Sequence, residues 1–380
     1  MDFKLSDSHR LQKELFRKIA VEQVAPRAED MDEAGEFDLE LLKVLQKYGL
    51  MSIPYSKDLG GQGGDYLGYA LCVEEISAAD ASTGITISVH TSLACSCINE
   101  FGTPEQKEKW LRPMLEGNAV GCFGLTEANA GSDPAALQTK AELDGEEYIV
   151  DGAKMFITNS GFADTFLVFA KTDKESGTRG ISCFVIDKDD PGLAIGKDIR
   201  RMGIRAASNC EISFDNIRIP KDRLLGKEGQ GFRIAMKALD AGRIGVAAQS
   251  LGIAQGALNE AVKYTKERKQ GGRRISSFQN TQFKAADLQT QIDAARLLVW
   301  RAAAAKDSGE KYSVDAAMAK LFASKTANDV TRECVQFMGG YGYSSEYPVE
   351  RMMRDAKITE IYEGTSEVMR IIIAAAMKVK

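Results

Sequence analysis

The pattern of hydrophobic and polar positions divides the chain into three parts. From Leu11 to about Leu115, apolar residues recur at helical spacing, with a break at "DLGGQGGDYLG". From about Gly121 to Gly226, short β-rich runs such as "TFLVFAKTD" and "GISCFVIDKDD" alternate with Gly, Asp and Pro turn signals. Long helical patterns return from Gly229 onward. The sequence therefore predicts an α+β protein of three domains: an N-terminal helical domain (1–118), a middle antiparallel β domain or small barrel (119–228) and a C-terminal helical domain (229–380).

The helical patterns of the last part carry more apolar positions than a single buried stripe requires. "FRIAMKALDAGRIGVAAQSLGIAQGALNEAVKYTKER" is one of them, and it is far longer than an average helix. Burial on more than one side, as in an oligomer built from helical bundles, would explain the excess. A large monomeric bundle is the alternative interpretation.

Composition and charge narrow the classes of function. The chain has 380 residues, of which 44% are hydrophobic and 27% are charged, which is enough for more than one core. A formal net charge of −5 gives no broad attraction for a polyanion, so we do not expect a nucleic-acid partner. The seven cysteines form no CxxC pair, and only two histidines could join them. This usage indicates buried thiols in a reducing compartment, and no metal site is expected.

The two terminal segments of the sequence carry information on cellular location. The stretch "MDFKLSDSHRLQKELFRKIA" mixes acids and bases and lacks the apolar run of a secretory signal. The most apolar tail segment, "IIIAAAM", is far shorter than the roughly 20 residues that a spanning helix needs. We therefore expect a cytoplasmic protein without a membrane span.

Common nucleotide and hydrolase motifs are missing from the sequence. There is no GxxxxGK[ST], and neither "GKEGQGF" nor "GGYGYS" completes a GxGxxG at the end of a strand. There is also no GxSxG elbow and no HExxH. A Rossmann or P-loop site, serine hydrolysis and zinc hydrolysis are therefore all disfavoured.

Two segments of the β-rich part have the residue types of a ligand site. "GCFGLTEANAGSDPAAL" combines small residues with Thr126, Ser132 and other polar groups that could hold a ring edge or a phosphate. By composition alone, an ordinary surface loop is the favoured alternative. In "KMFITNSGFAD", Phe156 and Thr158 lie two apart on one face of a predicted strand, where they could line a planar cofactor or simply pack.

Two further segments lie in the C-terminal part. The basic run "KERKQGGRR" is typical of a solvated helix end, and its functional alternative is a clamp on a diphosphate by Arg268. In "VQFMGGYGYSSEYPVERMMRD", the glycines at 339, 340 and 342 end a long helix, which suits either a C-cap or close approach of a ligand.

The stretch "KITEIYEGTSEVMR" places Glu363 in a break between two apolar-periodic segments. Thr365 or Ser366 can cap the helix that follows, and Glu367 suits its first turn. Because Glu363 is not needed as a cap and lies on irregular backbone, its side chain is free to point into a pocket.

Together these segments carry a family resemblance. "GLTEANAGSD", "FITN", "RKQGG…FQ", "QFMGGYGYSSEYPVERMMRD" and "IYEGT" occur in the order seen in acyl-CoA dehydrogenases. The chain resembles this family over essentially its whole length, and most of all the short-chain, butyryl-CoA type of bacterial enzyme. The resemblance implies FAD bound between the β domain and the C-terminal helices, and a homotetramer in which a neighbouring subunit completes the cofactor site. It also implies an acyl-CoA or enoyl-CoA thioester as substrate and an electron-transferring flavoprotein as partner.

The resemblance also assigns site residues. Along the flavin and its pyrophosphate it places Phe123, Leu125, Thr126 and Ser132, with Phe156 stacked on the ring and Thr158 at its edge. To the adenine dinucleotide half, held from the partner subunit, it assigns Arg268, Gln279, Gln336, Gly339 and Gly340. Thr365 and Glu367 would complete the cofactor pocket. The acyl-CoA contacts would be Ser132, Asp240 and Arg243, with Tyr362 and Gly364 beside the base.

Glu363 occupies the position of the family's catalytic base. Removal of a proton α to a thioester carbonyl needs a carboxylate within about 2.6–3.2 Å of the C–H, in an apolar pocket that brings its pKa towards the working pH. Hydride then passes from the β carbon to the flavin. The sequence departs from the family pattern at Gly271, where Phe is usual, at Phe156, where many members have Trp, and at Ala241, where Gly is common.

Alternative functions stay open at the sequence level. An aryl-acryloyl-CoA reductase of the caffeyl-CoA type, working with an electron-transferring flavoprotein, would use the same residues in the reductive direction. An acyl-CoA oxidase is less favoured because the extra C-terminal domain of the long oxidases is missing. A non-catalytic flavoprotein is disfavoured because Glu363 is present.

Overall fold

The computed structural model describes residues 4–379, so the first three residues of the predicted N-terminal domain and the last residue of the C-terminal one lie outside it. The first part is helical, as predicted. Its helices are α1 (Asp7–Ile19), α2 (Ala28–Ala34), α3 (Leu39–Lys47), α4 (Tyr66–Ala79), α5 (Ala81–Ser88), α6 (Ser96–Phe101), α7 (Pro104–Gln106) and α8 (Arg112–Leu115). Stretches of π-helix join several of them, at Ala20–Val24, Val89–Cys95 and Lys107–Leu111.

Side-chain caps explain where several of these helices begin. Ser6 and Thr103 hydroxyls, and the carboxylates of Asp38, Asp65 and Asp80, each accept a hydrogen bond from a first-turn backbone N–H. Such caps typically contribute about 1 kcal/mol each. The helix starts are therefore encoded locally.

The middle part is a sheet of eight strands. They are β1 (Gly121–Gly124), β2 (Lys140–Asp144), β3 (Glu147–Thr158), β4 (Thr165–Lys171), β5 (Ile181–Asp187), β6 (Leu193–Asp198), β7 (Asn209–Pro220) and β8 (Leu224–Leu225). The order across the sheet is β6-β7-β3-β2-β4-β5-β8, with β1 against β4. Most pairs are antiparallel, as predicted, but β1 runs parallel to β4, and β2 touches β4 in parallel at one residue pair. The long connection through β2 and β3 returns the chain to the same end of the sheet, which permits the parallel pair.

Strands β4 and β5 are buried on both faces. Phe166 and Val168 pack into a small core enclosed by the curved sheet, whereas Leu167 and Phe169 pack into the large core shared with the helices. This explains the uninterrupted apolar run "TFLVFA", in which strict alternation would have been expected for a half-exposed strand.

The C-terminal part contains three long helices and two shorter ones. They are α9 (Gly231–Glu267), α10 (Gln279–Asp307), α11 (Ser313–Met338), α12 (Val349–Ile358) and α13 (Ser366–Ala376). Helix α9 packs against α4, α10 and α11, and its side chains from 241 to 254 are buried all round. Burial on more than one side, predicted for the long helices, is therefore seen in α9, whereas the buried residues of α10 follow a single stripe.

The basic run after α9 was expected to be a helix end, and only its first residues are one. Helix α9 ends at Glu267, and the run then forms a small hairpin of β9 (Lys269–Gln270) and β10 (Arg273–Arg274). Its two turn residues, Gly271 and Gly272, have φ of 57° and 76°. A two-residue hairpin loop of this kind needs positive φ at both positions, so glycine suits Gly271 better than the family's Phe would.

Within residues 4–379, no helix combines the length and apolar character needed to cross a membrane. The same residues contain no group of three or more His, Cys, Asp or Glu side chains arranged to hold a metal ion. All seven cysteines are free and buried, as the sequence predicts.

Candidate active site

Glu363 lies in the short connection between α12 and α13. The Thr365 hydroxyl caps α13 by accepting a hydrogen bond from the Val368 N–H (3.3 Å), which confirms that Glu363 does not serve as the cap. Glu363 itself has φ of 53°, a left-handed conformation that is uncommon outside glycine, and Gly364 follows with φ of 103°. Two consecutive positive-φ residues turn the chain sharply at this point.

The Glu363 carboxylate is buried without a hydrogen-bond partner. The residue as a whole is partly exposed, but both carboxylate oxygens are shielded from solvent, and neither bonds to any atom of residues 4–379. Burial raises the pKa of Glu363 to about 7, against the opposing effect of the positive charges on Lys320 and Arg243. A carboxylate with a pKa near neutrality is suited to accept a proton at physiological pH.

Helix α9 leaves room for this carboxylate at Gly242. A Cβ at position 242 would overlap Glu363 Oε2 and come within 2.8 Å of Leu93 Cδ2. Glycine is therefore required here for close approach, and the sequence places it beside Ala241 and Arg243 in "LDAGR".

Two buried cations hold the backbone around Glu363. Arg243 donates from Nε to the Glu363 carbonyl (3.4 Å) and from Nη1 to Asp240 Oδ1 (2.5 Å). Lys320 donates from Nζ to the carbonyls of Gly364 (2.6 Å) and Thr359 (2.9 Å). Neither cation bonds to the carboxylate itself.

Tyr362 and Asp240 complete this cluster. The Tyr362 hydroxyl donates to Gln249 Oε1, and burial raises the pKa of Tyr362 well above its usual value. Burial also raises the pKa of Asp240, although it accepts hydrogen bonds from Arg243 and from Ser313 Oγ (2.8 Å). The structure thus gathers around Glu363 the residues that the resemblance assigned to the substrate, apart from Ser132.

A second buried carboxylate, that of Glu127, stabilises the loop that follows β1. Glu127 accepts hydrogen bonds from the N–H of Gln138 (2.5 Å) and from both the N–H (3.0 Å) and the hydroxyl (2.6 Å) of Thr139. The ammonium of Lys154, which is 0% exposed, lies 2.6 Å from Glu127 Oε1. This ion pair fixes a loop of which Ser132 is an exposed member.

The predicted flavin residues of this region differ in their placement. Phe123 and Leu125 are buried in the large core, and the Phe123 ring packs on Phe169 with centroids 4.9 Å apart. Thr126 is partly exposed, and its carbonyl accepts from the Met155 N–H (2.9 Å). Contact of Phe123 or Leu125 with a flavin would therefore involve their backbone more than their side chains.

Phe156 and Thr158 end strand β3 at a bulge. The register with β7 shifts between Lys154 and Ile157, and Phe156 has φ of 61° with its ring 55% exposed. The Thr158 hydroxyl accepts from Asn209 Nδ2 (3.2 Å), and Asn209 Oδ1 is buried without a partner in the described chain. An exposed aromatic ring beside unsatisfied polar atoms fits a planar ring with a polar edge, as FAD has.

The residues predicted for the adenine half lie elsewhere on the surface. Arg268, Gln336, Gly339 and Gly340 line one open groove. Arg268 stacks over the ring of Tyr341, 5.5 Å from its centroid. The remaining predicted residue, Gln279, begins α10, is exposed and is not among those that line the groove.

Thr365 and Glu367 were predicted to complete the cofactor pocket. Thr365 is partly exposed while it caps α13. Glu367 is exposed and pairs with Arg370 (3.2 Å). Both are therefore reachable from outside this chain.

Several residues of the site were not identified from the sequence: Gly242, Gln249, Lys320, Glu127 and Lys154. A local signal existed for Lys320, because it lies among the buried small residues of α11 at 316, 319, 323 and 327. A lysine on an apolar helix face is rarely buried unless its ammonium has a specific partner.

Three family models match consecutive parts of the chain. The N-terminal domain of acyl-CoA dehydrogenases matches residues 6–118, the middle domain residues 122–217 and the C-terminal domain residues 229–378. Among curated proteins, the short-chain specific acyl-CoA dehydrogenase of Clostridium acetobutylicum is 52% identical, over 98% of this chain and 99% of its own.

Solved structures give the same result. Butyryl-CoA dehydrogenase from Megasphaera elsdenii superposes with a TM-score of 0.98 at 46% identity, covering 100% of both chains. A chain in the structure of the electron transferring flavoprotein of Acidaminococcus fermentans, reported towards a mechanism of flavin-based electron bifurcation, also reaches 0.98, at 51% identity over 99% of both chains. The chain therefore belongs to the acyl-CoA dehydrogenase family.

Proposed function

We propose that this protein is an FAD-dependent oxidoreductase that interconverts a short-chain acyl-CoA and its α,β-enoyl-CoA, with Glu363 as the catalytic base. The observation that carries this proposal is the Glu363 carboxylate, buried and unpaired on left-handed backbone. A carboxylate with no intramolecular partner and a pKa of about 7 is available to take a proton from carbon.

The residues of the Glu363 segment would divide the chemistry between them. The carboxylate would remove the α proton of the thioester in the oxidative direction and return it in the reductive one. The Glu363 N–H donates to no acceptor within residues 4–379, so it is free to donate to the thioester oxygen as enolate-like charge develops there. FAD, when bound, would accept or supply the hydride at the β carbon.

FAD would be held by residues of two subunits. Phe156, with its exposed ring, and the hydroxyls of Thr158, Thr126 and Ser132 would contact the flavin and pyrophosphate. The groove lined by Arg268, Gln336, Gly339 and Gly340 is open at the surface of this chain and would receive the adenine half of a neighbour's FAD, with Gln279 at its margin. This division calls for a second copy of the chain, as in the homotetramer that the family resemblance implies.

Relatives support the substrate class and the electron partner. The relatives at 46–52% identity include proteins described as short-chain specific or as butyryl-CoA dehydrogenase. The similar chain in the structure of an electron transferring flavoprotein supports a flavoprotein of that kind as the electron partner. The seven free, buried thiols suit the cytoplasm, where we place the enzyme.

A series of acyl-CoA esters tests this proposal. The purified protein should be yellow, and butyryl-CoA should bleach its flavin under anaerobic conditions faster than long-chain esters do. Crotonyl-CoA should reoxidise the reduced flavin. If no CoA ester bleaches the flavin and no enoyl-CoA reoxidises it, the proposal is wrong, and faster reaction with aryl-acryloyl-CoA would move the substrate to that class.

A further inference from the structure

Lys320 is an unusual residue for the interior of a helical bundle. Its side chain is 0% exposed, and within residues 4–379 its ammonium forms hydrogen bonds to backbone carbonyls but no salt bridge with a carboxylate. Instead, its hydrogen bonds go to two backbone carbonyls of the connection between α12 and α13. Burial of an ammonium without an ionic partner is costly, so its retention calls for a reason beyond packing.

The two carbonyls that Lys320 binds lie at the two ends of the Glu363 turn. Thr359 is the C-cap of α12, where backbone carbonyls carry the negative end of the helix dipole. Gly364 directly follows Glu363 and precedes the cap of α13. One ammonium therefore ties the entry of the turn to its exit.

Arg243 extends the same arrangement by one peptide. Its Nε binds the Glu363 carbonyl, and Lys320 binds the Gly364 carbonyl, so two consecutive carbonyls are each held by a buried cation. Holding both peptides in place stabilises the positive φ of Glu363 and Gly364, which is unfavourable at the non-glycine position. The side chain of Glu363 is thereby directed towards Gly242, and its carboxylate does not bond to Arg243 or Lys320.

We propose that Lys320 is a positioning residue for Glu363: its ammonium closes the turn from Thr359 to Gly364, so that the carboxylate stays buried, unpaired and correctly aimed. This inference rests on the proposed role of Glu363 as the base. It adds a second effect through space, since the positive charges of Lys320 and Arg243 oppose the rise that burial causes in the pKa of Glu363.

Other charged and titratable groups face this pair. Burial, together with nearby Arg243 and against the opposing charge of Glu363, lowers the pKa of Lys320 to about 8. The groups that act on Glu363 or Lys320 are Tyr69 on α4, Arg243 on α9, and Tyr362, Glu360 and Glu367 on the turn and its flanks. Asp240 on α9 acts on Arg243. All of them remain when Lys320 alone is replaced.

The test compares Lys320→Met with Lys320→Arg and Lys320→Gln. In Lys320→Met, the midpoint of the acid limb of kcat/KM should rise by about one pH unit, because one positive charge near Glu363 is lost. Its plateau should fall by about 10²-fold as the carboxylate loses its aim. Lys320→Arg should keep the wild-type midpoint, and Lys320→Gln, which keeps a donor, should fall less in its plateau than Lys320→Met.

A readout independent of turnover is hydrogen exchange in the peptide that covers residues 359–366. It should be faster in Lys320→Met, while peptides of α9 and β3 exchange as in the wild type and the FAD content is unchanged. Lys325→Met is the matched control, because Lys325 lies on the same helix but is exposed, and its one ion pair within residues 4–379 is with Asp329. It should match the wild type in every measurement.

Two results would overturn the inference. One is a Lys320→Met enzyme with the wild-type midpoint, plateau and local exchange. The other is failure of all three Lys320 variants to fold and bind FAD while Lys325→Met does both, which would make the role purely structural. The proposed function fails separately, if Glu363→Gln retains turnover, whatever the Lys320 variants do.

Discussion

Two buried carboxylates of this protein, each with a buried lysine nearby, show how one chemical group is given two roles. Glu127 receives its lysine directly: Lys154 lies 2.6 Å away, and Thr139 supplies two further hydrogen bonds. The Glu363 carboxylate accepts no hydrogen bond within residues 4–379, because Lys320 donates to backbone carbonyls instead. The first arrangement stabilises a loop, and the second leaves the Glu363 carboxylate without a partner, as its proposed role as base requires.

The pKa values of the two carboxyl groups follow from this difference. Burial alone would raise the pKa of Glu127, but the charge and hydrogen bonds of Lys154 and the hydrogen bonds of Thr139 outweigh it and the pKa is lowered. Burial raises the pKa of Glu363 to about 7, since no hydrogen bond stabilises its charged form. Both lysines have a pKa lowered by burial to about 8. The pKa values of the two carboxyl groups therefore differ because only Glu127 has hydrogen-bond partners and a directly paired lysine to oppose the effect of burial.

Replacing the proposed base should have the largest effect. Glu363→Gln keeps the shape of the side chain but cannot take a proton, so flavin reduction by butyryl-CoA should slow by about 10²–10⁴-fold. The measurement is anaerobic stopped-flow absorbance of the flavin, with FAD content as the control. A variant that still reduces its flavin within tenfold of the wild-type rate would place the base elsewhere.

Removing the structural carboxylate should act on stability. Glu127→Gln leaves Lys154 buried without its ionic partner and should lower the free energy of unfolding by about 3–5 kcal/mol. Urea unfolding of the FAD-bound protein at fixed protein concentration measures this. The double variant Glu127→Gln/Lys154→Met should recover part of the loss.

The matched control for Glu127→Gln is Glu142→Gln on β2. The Glu142 side chain is exposed and forms a solvent-exposed pair with Lys140, at 3.5 Å. Its effect should be within about 0.5 kcal/mol. Equal effects of the two substitutions would show that the Glu127–Lys154 pair does not support the loop.

The space that Glu363 occupies beside Gly242 can be filled without replacing either Glu363 or Lys320. In Gly242→Ala, the added methyl group overlaps Glu363 Oε2, so the carboxylate must move. A displacement of about 1 Å can cost about 10²-fold in rate, and we expect a loss of that size in kcat. An unchanged kcat, with FAD still bound, would mean that the carboxylate is not held where the structure places it.

The raised pKa of Glu363 should also make the stability of the protein depend on pH. The folded-state pKa of Glu363, about 7, lies above its ordinary value of 4.5, so its contribution to stability is fully present below about pH 4.5 and is lost as pH rises through 7. Glu363→Gln cannot titrate, so its unfolding free energy relative to the wild type should increase across this window, by an amount of order 1–3 kcal/mol. Urea midpoints at a series of pH values measure it, and a constant difference would contradict the raised pKa.

Much of the fold was predictable because its determinants are local. Helix periodicity, the Asp and Ser caps and the turn residues between the strands all lie within a few positions of the elements they define. The capping role of Thr365 was predictable for the same reason, and it isolated Glu363 as a residue with another purpose. The hairpin at Gly271 was not predicted, since its basic residues resemble a helix end.

The supporting residues of the site could not be predicted, because they come from distant parts of the chain. Gly242 on α9 and Lys320 on α11 meet Glu363 only after three helices pack together. Likewise, the partner of Glu127 is a lysine on β3, 27 positions further along the chain. Sequence motifs pointed to the proposed base and the proposed cofactor loop, whereas the interactions that would set their chemistry are tertiary.

The pH dependence of anaerobic flavin reduction tests the central claim most directly. The rate constant for reduction by butyryl-CoA, divided by the apparent Kd, should be measured from about pH 5.5 to about pH 9 and reports the free enzyme. The account predicts a rise with a single midpoint near 7, where Glu363 ionises, and a flat baseline in Glu363→Gln. A wild-type profile with no inflection in this range, or a Glu363→Gln profile that rises in parallel, would contradict it.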